Sequence, residues 1–398
     1  VAPEVAVTAL VLGTFALLFV RRIRAYPVSR AVTSALGAVC VVAIGAITLE
    51  EALASVHVGT ILLLFGMLAH VDALARSGFY TWAAARLVQW AGTGRRLTYG
   101  TLCLAAGSSA FALNDATVLL MTPVLVVALH GSRVDPVAPL LAVILGANIG
   151  SVATPLGNPQ NAYILSRSEL TTLEFVAALG PVALVSLAVA AAFLWPLTRA
   201  DAPFSPVEVP DLDTRWALSS AGFLLVTFLA LAAFPGVEPG FIAASLGIVH
   251  VAWLQFYRRV PGNDVLQGVD WSILVLFVGM FVLVGSLEGT ALLEFLGGFD
   301  GVAAFAGATF VLSNLVSNVP AVLVLAETVD DASGWLLLAA VSTLAGNATP
   351  IASAATLIVL DQAARSGVDV PIRRLIAIGF PVALLTSALA VVMLVSMG

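Results

Sequence analysis

Asn114 and Asp115 stand side by side in the middle of one apolar stretch, residues 97–131, and Ser317-Asn318, preceded by Ser313-Asn314, stand in the middle of another, residues 302–330. Each stretch is too long for one membrane crossing and carries its polar groups where a crossing should be most apolar. Each is therefore expected to enter the bilayer, turn and leave as a re-entrant hairpin, with its tip lining a cavity. Two further polar segments fall at membrane depth, Asn148-Ile-Gly-Ser-Val-Ala-Thr-Pro-Leu-Gly-Asn-Pro-Gln-Asn161 and Gly346-Asn-Ala-Thr-Pro-Ile-Ala-Ser353. Their Gly and Pro residues break a helix, which frees carbonyls for cations and aims half-helix N-termini at whatever lies opposite. The hydroxyls and amides of Asn114, Thr154, Asn158, Asn161, Ser317, Asn318, Thr349 and Ser353 are then expected to hydrogen-bond a solute, together with Asp115. Any one of these could serve only to link helices, but four clusters in two matched pairs are hard to explain that way.

Asp115 is the one acid placed at a membrane-depth tip, where a carboxylate is costly and by default functional. It could carry a proton, neutralise a bound cation, or cap the second hairpin arm. His250, inside a span, reads as a structural histidine, and His70 and Asp72 as residues near the cytoplasmic end of theirs.

The elements that must position these groups follow from composition. Of 398 residues, 60% are hydrophobic and 10% are charged, against roughly 25% charged in soluble domains. The chain is expected to be an all-α polytopic membrane protein, with about ten crossings at some 20 residues each and no room for a soluble catalytic domain. The expected spans are 3–20, 31–49, 57–74, 136–165, 173–195, 216–234, 239–256, 271–287, 335–360 and 372–397. The first lacks a basic n-region and a cleavage site and reads as a retained span. The aromatic- and arginine-rich run 78–90 reads as a helix lying in the interface and bracing a hairpin arm. The two cysteines, Cys40 and Cys103, offer neither a disulfide framework nor metal-ligand spacing. No zinc motif, aspartate dyad or Ser/His pair suggests an enzyme, and a net charge of −6 argues against nucleic acid.

All 17 basic residues are arginine. With the N-terminus outside, every one but Arg167 falls on the cytoplasmic side, as the retention of positive charge there requires, and no arginine falls inside an apolar core. Both termini are then extracytoplasmic, in the plasma membrane. The halves also repeat: Ile61-Leu-Leu-Leu-Phe-Gly-Met67 is echoed by Ile273-Leu-Val-Leu-Phe-Val-Gly-Met280, and Thr154-Pro by Thr349-Pro. An odd number of crossings between copies inverts the second. The expected division is residues 1–196 as one repeat, 197–215 as a cytoplasmic linker and 216–398 as the inverted second repeat.

At these motifs the chain resembles the ion transporter superfamily that includes ArsB-type arsenite permeases, NhaD-type sodium/proton antiporters and the divalent-anion/sodium symporters. Gly78-Phe-Tyr-Thr-Trp-Ala-Ala, Phe111-Ala-Leu-Asn-Asp-Ala-Thr-Val-Leu-Leu-Met-Thr-Pro123 and Ser317-Asn-Val-Pro-Ala-Val-Leu-Val324 are similar to the arsenite permeases, while residues 147–161 look closer to the symporters. The resemblance implies that Asn114 and Asn318 are the tip asparagines. It also implies that Asp115, Asn148, Ala153, Asn347 and Ala348 serve the coupling proton or cation, Na+ or H+, with no other cofactor. Asp115 and Val319 stand where the symporters have tip threonines, which departs from dicarboxylate recognition. A homodimer working as an elevator is implied as well, and an accessory ATPase is permitted without being required. The resulting expectation is a secondary transporter exporting arsenite or antimonite against inward protons, with a sodium/proton antiporter or a sodium-coupled symporter of a small inorganic or dicarboxylate anion as alternatives.

Overall fold

A computed structural model of the chain describes residues 4–18, 20, 22–23, 26–130, 132, 134–198, 207–299, 301–350 and 352–397. Arg21, Arg24, Arg133 and Arg199, used above for orientation, and residues 199–206 of the linker lie outside the described residues.

The helices are α1 (Glu4–Leu18), α2 (Arg30–Ala43), α3 (Leu49–Ala54), α4 (Val58–Arg76), α5 (Phe79–Ala91), α6 (Gly94–Phe111), α7 (Asn114–Leu129), α8 (Val137–Gly150), α9 (Pro159–Arg167) and α10 (Thr172–Leu194). They continue as α11 (Thr214–Ala233), α12 (Pro239–Tyr257), α13 (Gly262–Gly268), α14 (Trp271–Gly285), α15 (Ala291–Gly297), α16 (Val302–Val316), α17 (Asn318–Leu325), α18 (Ala332–Ala345), α19 (Ala354–Arg365) and α20 (Ile372–Met397). A small antiparallel ribbon pairs Arg22 with Pro27 and Ile23 with Tyr26. The order of helices α1 to α10 recurs in α11 to α20, and part of the packing recurs with it. α2 lies on α14 as α12 lies on α4, and α10 and α20 pack together, each against the broken helix of both halves.

Among the described residues, five helices are long and apolar enough to cross a membrane alone, namely α4, α10 with its 3-10 extension, α11, α12 and α20; α13 and α14 reach that length and apolarity only together, across a bend of 52°. The others are shorter because the sequence interrupts them. Both apolar stretches with polar centres are helical hairpins, α6–α7 and α16–α17, turning at Asn114 and at Ser317-Asn318. Ser313 and Asn314 lie one turn back from the second tip, inside α16. The interfacial run is α5, bounded by Gly78 and Gly92 at positive φ, and its buried face packs on both arms of the first hairpin.

The cross-packing of α4 with α12 and α14 with α2 depends on the glycines of the repeated motif. A Cβ on Gly66 would lie 2.1 Å from the Ala243 carbonyl oxygen, and one on Gly279 would lie 2.6 Å from the Ser34 carbonyl carbon. Such backbone-to-backbone approach lets helices associate where no hydrophobic effect drives them together. A third repeat, absent from the sequence reading, is Pro181-Val-Ala-Leu184 in α10 and Pro381-Val-Ala-Leu384 in α20.

His70 is fully buried, its Nδ1 2.9 Å from Nδ1 of His250, in a cluster joining α4, α11 and α12.

Candidate functional site

The two breaks in α8–α9 and α18–α19 bring the tips together. In the first, Pro155 and Gly157 interrupt the helix, and Asn158 restarts it by accepting from the Asn161 backbone N–H at 2.8 Å, with Pro159 at the first helical position. In the second, Pro350 follows Thr349, and α19 restarts at Ser353. Each tip is tied by backbone to the break of its own half: Asn114 N–H donates to the Gly157 carbonyl (2.9 Å) and Asn318 N–H to that of Ala352 (3.4 Å). Each threonine of the repeated Thr-Pro pair holds the first arm of its hairpin. Thr154 Oγ1 donates to the Ala110 carbonyl, and Thr349 Oγ1 donates to Asn314 Oδ1 at 3.0 Å.

The two halves meet at asparagines. Asn148 Oδ1 accepts from Asn114 Nδ2 (3.2 Å) and from Ser353 Oγ (3.0 Å), while Asn148 Nδ2 donates to Asn347 Oδ1 (3.0 Å). Ser353, which stands where a helix cap belongs, gives no capping bond and spends its hydroxyl on Asn148. Asn158 Nδ2 reaches Ser151 and, in the other half, Thr343 Oγ1 at 3.3 Å. Asn161 Nδ2 donates to the Ser151 carbonyl at 3.0 Å, and its Oδ1 is buried with no hydrogen-bond partner. Ser317, at φ 69°, holds the second tip in a conformation that L-residues rarely adopt, and its hydroxyl donates to the Ala352 carbonyl at 3.2 Å. Strain of this sort, about 1–3 kcal/mol, persists where the surroundings over-determine it.

In front of this network is a cavity of about 270 Å³ lined by Asn114, Asp115, Gln160, Ser317, Asn318 and Ser353, with Arg30 and Phe277 on the facing wall. The sequence-derived residues thus fall into two groups. Asn114, Asp115, Ser317, Asn318 and Ser353 line the cavity. Asn148, Ala153, Thr154, Asn158, Asn161, Asn347, Ala348 and Thr349 do not line it, and those with polar side chains hold the breaks and tips in place behind it.

Several lining residues were not expected, among them Arg30, Gln160 and a second acid, Asp270. Arg30, assigned by sequence only to the cytoplasmic charge excess, begins α2 and reaches the cavity wall because α2 packs on α14. Its place at the start of α2, outside any apolar core, gave no sign of this in the sequence. Gln160 was passed over as one amide among several in its segment, although its position directly after the Asn158-Pro159 restart puts it on the first turn of α9, buried and at the edge of the cavity.

Residues 15–345 match the family described as CitMHS, citrate transporter. The chain is 26% identical over 399 residues to a 46 kDa membrane protein of Mycobacterium leprae, covering 91% of this chain and 92% of the relative. It is 27% identical over 475 residues to the silicon efflux transporter LSI3 of Oryza sativa subsp. japonica, covering 98% and 97%. Among solved structures, the Alcanivorax borkumensis YdaH transporter superposes with a TM-score of 0.56 at 17% identity, over 98% of this chain and 97% of that one. At that identity the likeness is one of fold.

Proposed function

This chain belongs to the CitMHS citrate transporter family and is a secondary transporter, and we propose that its cargo is a small uncharged hydroxylated metalloid, arsenite or antimonite, exported in exchange for protons. The observation that carries the reading is the cavity itself, where both tips converge and Asp115 stands among amides and hydroxyls, with Arg30 and Asp270 as opposite charges elsewhere on its lining. A neutral trihydroxide needs several donors and acceptors and little net charge, which this lining supplies. Asp115 takes the proton and Asn114 orients the solute beside it; Gln160, Ser317, Asn318 and Ser353 complete the shell. Asn148 and Asn347, with Ala153 and Ala348 in the breaks, hold the tips at fixed separation. The silicon efflux ascribed to the Oryza relative supports export of a metalloid.

In this reading the hairpins and broken helices move together as an elevator against α2, α4, α12 and α14, in a homodimer in the plasma membrane. Residues 1–196 and 216–398 are then inverted repeats, and the end bearing Arg30 faces the cytoplasm.

A second reading is favoured by Arg30. A guanidinium on the cavity wall suits a carboxylate anion accompanied by a cation, in keeping with the family's description. Counterflow in proteoliposomes separates the two. Efflux of labelled arsenite accelerated by external arsenite and indifferent to citrate supports the first; efflux of labelled citrate that is accelerated by external citrate and lost in Arg30→Gln, with no arsenite movement, supports the second.

A further inference from the structure

A second cavity, of about 720 Å³, lies at the other end of α14 and is lined by the charged side chains Glu51, Arg167, Glu288 and Glu327. Three helices wall both cavities. On α9 the first cavity reaches Gln160 and the second begins at Tyr163; on α14 the steps are Phe277 and Phe281; on α17 they are Val319 and Leu323. Each step is three or four residues, so at 1.5 Å per residue the partition is about 5 Å thick, one helical turn. It is largely aromatic and apolar. Tyr163 and Phe281 stand 5.6 Å apart between ring centroids, and His57, which begins α4, is 6.1 Å from Tyr163 and 5.9 Å from Phe281. Arg167 and Glu327, 3.9 Å apart, tie the end of α9 to the end of the second hairpin behind Tyr163.

Four charged side chains converging inside a membrane protein require water around them, so the second cavity is an aqueous chamber. A thin apolar partition between two wet spaces excludes water and protons by dewetting. We propose that the second cavity is the release chamber of the transport route, and that the rings of His57, Tyr163 and Phe281 are the gate dividing it from the solute cavity. One partition residue comes from a moving half-helix in the elevator reading and two from the static helices, so sliding α9 along α14 by a turn would carry the solute past the gate. The inference rests on the chain being a transporter and not on which solute it carries.

The test reads protons, so it is independent of cargo. Proteoliposomes of Phe281→Ala and of His57→Ala are expected to dissipate an imposed pH gradient about tenfold faster than wild type, because a widened constriction between two wet spaces no longer dewets. Phe310→Ala, in the second hairpin and lining neither cavity, should leak at the wild-type rate. Phe281→Leu serves if the alanine variant fails to fold, with a smaller rise. In a Cys40→Ala/Cys103→Ala background, an impermeant maleimide should label Glu288→Cys from one face of the membrane and Ser272→Cys from the opposite face. Folded gate variants that leak no faster than wild type, or both cysteines labelled from the same face, would overturn the proposal. Failure of arsenite transport alongside a leaking Phe281→Ala would sink the cargo assignment and leave the gate standing.

Discussion

Asn148 donates to Asn347 at 3.0 Å across the meeting of the two halves, and the same Asn148 accepts from the first tip and from the restart of the second broken helix. Neither residue lines the cavity. Together they set the distance between the groups that do, because Asn114 and Ser353 are both anchored on one amide oxygen.

Asn148→Ala leaves Asn114, Ser353 and Asn347 with unmet hydrogen bonds in a buried site, which costs about 1–3 kcal/mol. The expected outcome is a lower melting temperature in detergent and transport reduced beyond what lower protein yield explains. Asn347→Ala, which breaks one bond, should cost less by both measures.

The glycines of the repeated motif should be intolerant in proportion to their contacts. Ala at Gly66 or Gly279 forces α4 from α12 or α2 from α14, with a cost of about 1–3 kcal/mol. Gly180, which has nothing within 4 Å of an added Cβ, should accept Ala with no loss or a gain of up to about 1 kcal/mol. Thermal unfolding of the three purified variants compares them directly.

The buried histidine cluster has one consistent set of protons. Thr227 Oγ1 donates to the Phe223 carbonyl (2.9 Å) and therefore accepts from His70 Nε2, also at 2.9 Å. A neutral His70 then accepts at Nδ1 from His250 Nδ1, and His250 Nε2 accepts from Ser220 Oγ at 3.1 Å. Nitrogen-15 spectra should show His70 protonated at Nε2 and His250 at Nδ1. Replacing Thr227 with Val should remove the acceptor and shift both signals.

Glu51 closes a capping box on α3, accepting from the Thr48 backbone N–H and hydroxyl at 2.8 Å each. These bonds hold its carboxyl below the ordinary value of 4.5. A folded value below the unfolded one means that the contribution is present above about pH 4.5 and fades as pH falls through the folded value. The melting temperature of wild type should exceed that of Glu51→Gln at pH 7, and the gap should close on acidification below about pH 4.

Both hairpins could be found in the sequence because their signal is local: a polar pair at the centre of an apolar stretch is costly in lipid unless the chain turns there and lines a cavity. The breaks of α8–α9 and α18–α19 were legible for the same reason, through Thr154-Pro155 and Thr349-Pro350. What the sequence concealed depends on tertiary packing. Arg30 reaches the cavity only because Gly279 allows α2 to approach α14, and His70 meets His250 only because Gly66 allows α4 to approach α12; neither pairing has any spacing to betray it. Asn148 and Asn158 were legible as polar groups at membrane depth. That Asn158 stands behind the cavity while Gln160 lines it depends on how α9 restarts at Asn158.

The most direct test of the account is arsenite accumulation in everted proteoliposomes under an inside-acid pH gradient in sodium-free buffer, with wild type beside Asp115→Asn. The account predicts accumulation by wild type that collapses when the gradient is dissipated and is absent in Asp115→Asn. Folded wild-type protein that moves no arsenite, or an Asp115→Asn protein that accumulates it as well as wild type does, would contradict it.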